Sequence, residues 1–181
     1  PTLSSNVFSK MKENQKDITV GVTDENNRLQ YQWKFNSDTI TQPDMDIDLT
    51  ISFDTDRENE VKEITGRDDL MYLSFSHHGA LPGPATIKTY VGNKYKDGDI
   101  VYLYYFNEEQ NRVESVGGVN KGLVVKDGYV EYTITHCSLY FLSQDTAEII
   151  KAVDPDTADN NGQVADVADT ANDSAATGDT T

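Results

Sequence analysis

Three histidines, one cysteine and a surplus of carboxylates are the side chains here suited to metal or proton chemistry, so their spacing is read first. His77 and His78 are adjacent, as are His136 and Cys137, and both pairs fall at predicted strand ends. Neighbours along a strand point to opposite faces, so neither pair converges on one metal or forms a nucleophile and base by itself. A site requires His77 or His78 to meet His136 across strands. The plainer outcome is a buried small thiol beside histidines bonded to backbone. Asp44, Asp46 and Asp48 share one strand face opposite Ile47, Leu49 and Ile51, the pattern of a solvated face. Their spacing also fits a chelating loop, but the glycine and the closing glutamate of a helix-loop-helix calcium site are missing. Asp159, Asn160, Asn161 and Gly162 resemble a degenerate calcium loop without flanking helices. No phosphate-cradling glycine pattern occurs, Gly117 and Gly118 lie in a hairpin return, and no serine stands in a nucleophile elbow. These residues predict no catalytic centre, no metal ligands and no cofactor.

Ten Tyr, six Phe and one Trp are enough for a sugar-stacking platform. Tyr31 with Trp33, or Tyr102 with Tyr104, would lie together on one strand face. Trp33, however, is in phase with Leu29 and Phe35 and so belongs to the core. Tyr90, Tyr95, Tyr105 and Tyr129 are out of phase with their apolar neighbours or in turns. They are therefore the candidate ligand-stacking aromatics.

The elements that position these residues are mostly strands. Ile18, Val20 and Val22 alternate with polar residues, as do Leu29, Tyr31, Trp33 and Phe35, then Ile47, Leu49, Ile51 and Phe53, then Val130, Tyr132 and Ile134. Each run gives one apolar face on an extended strand. Residues 70–75, 100–106 and 139–142 are apolar or aromatic on both faces, which suits central strands or strands covered on their second side. Turn chemistry falls between these runs at 24–27, at Asp97 and Gly98, at 107–111 and at Asp127 and Gly128. The last two read as hairpins. Leu81, Pro82, Gly83 and Pro84 read as a connecting loop, since prolines lack donors. Only residues 5–12 read as helix, with Ser4 or Ser5 as cap and Val7 and Met11 on one face. The expected fold is all-β, a two-sheet antiparallel Ig-like sandwich with a short N-terminal helix.

At 181 residues the chain holds one ordinary domain with an appendage. The single cysteine excludes an internal disulfide framework. A net charge of −16 repels phosphate backbones and anionic lipid surfaces, so nucleic acid and direct membrane binding are not expected. No apolar run approaches the roughly 20 residues of a spanning helix. The opening at Pro1 reads as a trimmed segment. Residues 152–181 hold seven Asp, seven Ala and five Thr, with no Lys, Arg, aromatic, Leu or Ile. That composition predicts a disordered acidic tail. All 15 basic and 24 of the 31 acidic side chains precede it, a balance of −9. The expected organisation is a helix at 1–14 packed on the sandwich, a β-module at 15–151 and the tail at 152–181.

Several stretches are familiar as sequence: residues 79–87, running from Gly79 through Leu81, Pro82, Gly83 and Pro84 to Ile87; Tyr95 to Asp99; Tyr102 to Asn107; Lys126 to Val130; and Thr135, His136 and Cys137 through to Leu142. Together, over about 15–143, they resemble a domain of uncharacterised role in clostridial cell-surface proteins. The resemblance implies an extracellular, cell-surface or wall-associated Gram-positive location. It also implies that residues 176–181 lead toward a sorting or membrane segment. It brings no catalytic or ligand-binding residues. The expectation is a monomeric, non-catalytic structural or spacer module, or an interaction module. The alternatives are a carbohydrate-binding module using exposed aromatic residues, with polysaccharide as partner, and an adhesin domain for a protein partner.

Overall fold

Alternating side chains build strands where the sequence places them, and the hydrogen-bond ladders decide which strands are neighbours. The computed structural model describes residues 1–156. The expectations for residues 157–181, including the stretches 159–162 and 176–181, lie outside the described residues. In chain order the elements are β1 (Thr2–Leu3), α1 (Ser5–Asn14), β2 (Ile18–Thr23), β3 (Leu29–Phe35), a 3-10 turn (Ser37–Thr39), β4 (Ile47–Asp48), β5 (Ile51–Ser52) and α2 (Glu58–Thr65). There follow β6 (Met71–Tyr90), β7 (Ile100–Asn107), β8 (Arg112–Ser115), β9 (Leu123–Val124), β10 (Tyr129–Ser143) and α3 (Ala147–Ile150). The molecule is therefore mostly β, with a short N-terminal helix, and its strands pair antiparallel.

Eight strands form one sheet in the order β2-β3-β6-β10-β7-β8, with β5 beside β6 and β9 beside β7; β1 and β4 pair separately. The long strands β6 and β10 run through the whole sheet and change register twice against each other. Leu81, Pro82, Gly83 and Pro84 stand opposite Thr135 alone, and residues 75–78 stand opposite Ser138 alone. The proline segment is thus a bulge inside β6, not the expected connecting loop. Its prolines lack donors, and in a bulge no ladder donor is needed. The bulge is anchored from outside, since Thr41 N and Gln42 N donate to Pro82 O at 2.8 and 3.0 Å. Gly83 fits there because a Cβ would come within 2.4 Å of Thr39 O.

One core cluster buries Trp33, Phe35, Leu73, Phe75, Ile87, Leu103 and Tyr140. Trp33 is fully buried, stacks on Phe35 at 5.8 Å, meets Phe75 edge-on at 5.5 Å and donates from Nε1 to Leu49 O at 2.9 Å. Its core position is as periodicity predicts. Tyr104 is buried as well and donates from its hydroxyl to Asp145 O at 2.7 Å.

On the outer face of the β7-β10 half, Tyr72, Tyr104, Phe106, Val113, Leu139 and Phe141 pack under Val61 of α2 and Ala147 and Ile150 of α3. This second cover explains why those strands are apolar on both faces. Neither α2 nor α3 was expected. α2 buries only Val61 and Thr65, too narrow a stripe to show as helical periodicity, yet acidic Glu58 and Glu60 in its first turn and the left-handed Gly66 after its end are start and stop signals. α3 is a single turn.

Two details of α1 also differ from expectation. Phe8 rather than Val7 joins Met11 in the core, and although Ser4 is the N-cap as expected, its hydroxyl makes no capping bond; Asp46 Oδ1 instead accepts from Ser5 N at 2.7 Å. The turn at Asp127 and Gly128 forms with φ of 53° and 80°, as a tight hairpin turn requires. β9, however, leaves it to pair with β7 rather than continuing along β10. Past Lys151 the chain stays on the sheet: Ser115 N donates to Val153 O and Val153 N to Val113 O, both at 2.9 Å.

Candidate functional site

His136 and Cys137 sit on β10 between its two register shifts against β6. Cys137 points into the core, and burial pushes its thiol up to about 12, far from the thiolate a nucleophile needs. The half-buried His136 ring lies edge-on to Tyr105 at 4.7 Å, with its Nε2 3.2 Å from Tyr140 Oη. That hydroxyl also donates to His136 O at 2.8 Å. Burial lowers the imidazole below its ordinary value, with the charge of Glu114 acting weakly the other way. Opposite His136 and Cys137 the ladder sets Ala80 and Gly79, not His77 or His78. His77 Nε2 is 3.1 Å from Ala80 O, and His78 is exposed. The cross-strand histidine meeting is not formed by the ladder.

Several carboxylates accept from backbone N–H groups or neighbouring side chains. Ile47, Leu49 and Ile51 are buried while Asp44, Asp46 and Asp48 are exposed, as the alternation predicts. Asp48 Oδ1 accepts from the Thr50 hydroxyl at 2.7 Å and Thr50 N at 2.9 Å, and these bonds hold its carboxyl below the usual range. Asp24 closes the β2-β3 turn by accepting from Asn26 N and Arg28 N, each at 2.9 Å. Asp97 joins two turns through Asp127 N and Gly128 N at 3.1 and 2.7 Å. Glu114 Oε1, largely buried, accepts from Arg112 Nε at 2.8 Å and Asn107 Nδ2 at 2.9 Å. Among the described residues no group of three or more His, Cys, Asp or Glu side chains is placed to hold a metal ion.

The four candidate tyrosines divide. Tyr95 is only 5% exposed and donates to Leu142 O at 3.1 Å, so it is a core residue and not a stacking surface. The chain folds back at 91–95, where Lys94 N and Tyr95 N both donate to Val91 O at 2.9 Å, and this turns the ring inward. Tyr105 is half-buried against His136 and Tyr140. Tyr90 and Tyr129 are opposite one another in the β6-β10 ladder, with ring centroids 5.3 Å apart. Arg28 Cζ lies 4.2 Å from the Tyr90 centroid and Lys88 Nζ 4.7 Å from that of Tyr129. The Tyr129 hydroxyl donates to Leu29 O at 3.0 Å. These two rings are half-buried and held in place by bonds and cations.

Two surfaces near this pair were not foreseen. The first is a polar hollow of about 340 Å³ on the face of β3, β6 and β10, with Gln32, Lys34, Asn36, Thr86, Lys88 and Glu131 in its walls. The second is a row of hollows of about 450, 250 and 270 Å³ along β10. Alternation alone showed the outward direction of these side chains, but not that they would border hollows. No protein-family model matches the chain, and neither a curated protein nor a solved structure matches it.

Proposed function

We propose that this chain is a non-catalytic structural and interaction module of a secreted or cell-surface bacterial protein, with the two halves of its bent sheet acting as the layers of an Ig-like sandwich joined through β6 and β10. The observation that carries the reading is how the reactive side chains are used. Cys137 is buried, His77 meets a backbone carbonyl, and Asp24, Asp46, Asp48, Asp97 and Glu114 hold turns, a helix start and a strand edge. Groups so bound contribute to a rigid fold rather than to a convergent centre. The resemblance to clostridial surface domains supports the location. Antibody raised against the chain should label intact, unpermeabilised cells of the source bacterium. Labelling only after lysis overturns the extracellular reading.

A second reading, carbohydrate binding, is favoured by one observation. Lys88 belongs both to the polar hollow and to the Tyr90 and Tyr129 pair, so rings, amides and cations adjoin on one sheet face. Affinity electrophoresis in soluble glycans tests it. Retardation lost in Tyr129→Ala and Lys88→Ala at unchanged melting temperature supports this reading, and free migration in every glycan removes it.

A further inference from the structure

Leu73, Tyr140, Tyr105 and Glu114 form a row across the sheet from β6 to β8, each set opposite the next in its ladder. Directly opposite residues share a face, so two tyrosine rings lead from the core to a carboxylate. The His136 ring joins this row, its centroid 4.7 Å from that of Tyr105 and 5.7 Å from that of Tyr140. Tyr105 and Tyr140 are themselves 5.5 Å apart. These three rings, with Glu114, Val116 and Ile134, line the hollow of about 270 Å³. Its wall is thus aromatic and aliphatic, with one acid in it.

Charge and hydrogen bonding decide what such a hollow takes. Glu114 is the one side chain charged at neutral pH among the described residues that line it, and Arg112, its partner at 2.8 Å, is not one of them. Arg112 Nε and Asn107 Nδ2 both donate to the same oxygen, Oε1. After burial, the charges that raise the Tyr105 phenol are those of Glu114, Glu109 and Glu108, and Glu114 also opposes the effect of burial on His136. The rings therefore sit in a negative field, which favours a cation against them. Their own polar atoms are already bonded: the Tyr140 hydroxyl donates to His136 O at 2.8 Å and lies 3.2 Å from His136 Nε2, and Tyr105 shares a side-chain hydrogen bond with Ser138. A cation with N–H donors would exchange water for few free acceptors, at a cost. A quaternary ammonium has no donor to satisfy, and its methyl groups suit Val116 and Ile134.

We propose that this hollow binds an organic quaternary ammonium cation, its methyl groups against Tyr105, His136 and Tyr140 and its counter-charge Glu114. No residue lining it belongs to the polar hollow or to the Tyr90 and Tyr129 pair, so failure here leaves both readings of function standing.

The test is titration of the full chain with choline, with its uncharged analogue in which carbon replaces nitrogen, and with ethanolamine, which keeps the charge but carries N–H donors. Choline should bind about tenfold more tightly than either, the scale of a desolvated contact between cation and ring. Its methyl proton resonance should move upfield as it comes to lie over the rings. Tyr105→Leu should abolish that shift. Glu114→Gln keeps an oxygen for Arg112 and Asn107, and should weaken choline several-fold while leaving the uncharged analogue unchanged. Unaltered melting temperatures show that both variants are folded. Phosphatidylcholine vesicles distinguish the source of the group: cosedimentation assigns a lipid headgroup, and choline binding without it a free ligand. Equal binding of choline and the uncharged analogue overturns the cation, and ethanolamine binding as tightly as choline overturns the quaternary group. No upfield shift at millimolar choline, or a shift that persists in Tyr105→Leu, overturns the site.

Discussion

His136 titrates where burial disfavours its cation. In the unfolded chain the ring takes up its proton near pH 6.5, whereas in the folded chain it does so lower. Between those two values the unfolded state binds the extra proton, so this group's contribution is complete above about pH 6.5 and is lost as pH falls toward the folded value. Urea midpoints should thus drop from pH 7 to about 5.5, and His136→Phe, which keeps a ring against Tyr105, should flatten that decline. An unchanged slope in the variant would show that the ring is solvated. At this scale Trp33 was legible because phase with Leu29 and Phe35 is a backbone property. Tyr95 was not, because only a fold-back of the chain at 91–95 decides that a turn residue faces inward.

Among the elements, the bulge in β6 makes the sharpest prediction. Gly83 approaches the backbone of Thr39, which cannot rotate away as a side chain can, so Gly83→Ala should cost about 1–3 kcal/mol through overpacking. Thermal unfolding measures it, and a neutral substitution would mean that the segment 37–42 is not seated on the bulge. The segment after α3 gives another. Ending the chain at Lys151 removes two backbone bonds between Val153 and β8, worth about 0.5–1.5 kcal/mol each, and should lower the melting temperature relative to a chain ending at Asp156. Equal melting temperatures would place the edge of the fold back at Lys151, where composition alone puts it. The strands were readable from their period of two. α2 was not, because an eight-residue helix with one fully buried apolar side chain has almost no stripe to read.

For the whole molecule the net charge of −16 is the governing quantity. Self-repulsion acts over about 30 Å at 0.01 M salt and about 8 Å at 0.15 M. The exposed ion pairs, such as Arg57 with Glu60 and Lys62 with Asp68, are of the kind that contributes little. Melting temperature should therefore rise as sodium chloride is added over this range, by roughly 2–4 °C for each kcal/mol of repulsion relieved. A fall would show that the ion pairs outweigh the repulsion.

By itself the sequence determined the strands over 18–23 and 29–35 and parts of those over 71–90, 100–107 and 129–143, which aromatic ring is buried in the core, and that the strands at 70–75, 100–106 and 139–142 need cover on both faces. These follow from side-chain alternation and from the backbone angles that Asn, Asp and Gly permit, both local properties. Tertiary structure alone decided that the prolines of 81–84 lie inside a strand, that Tyr90 meets Tyr129 while Tyr95 is buried, and that β9 leaves β10 for β7. Each depends on which distant strand supplies the neighbouring ladder. Pairing between strands far apart in the chain is set by the fit of whole faces and bulges, which no local pattern encodes.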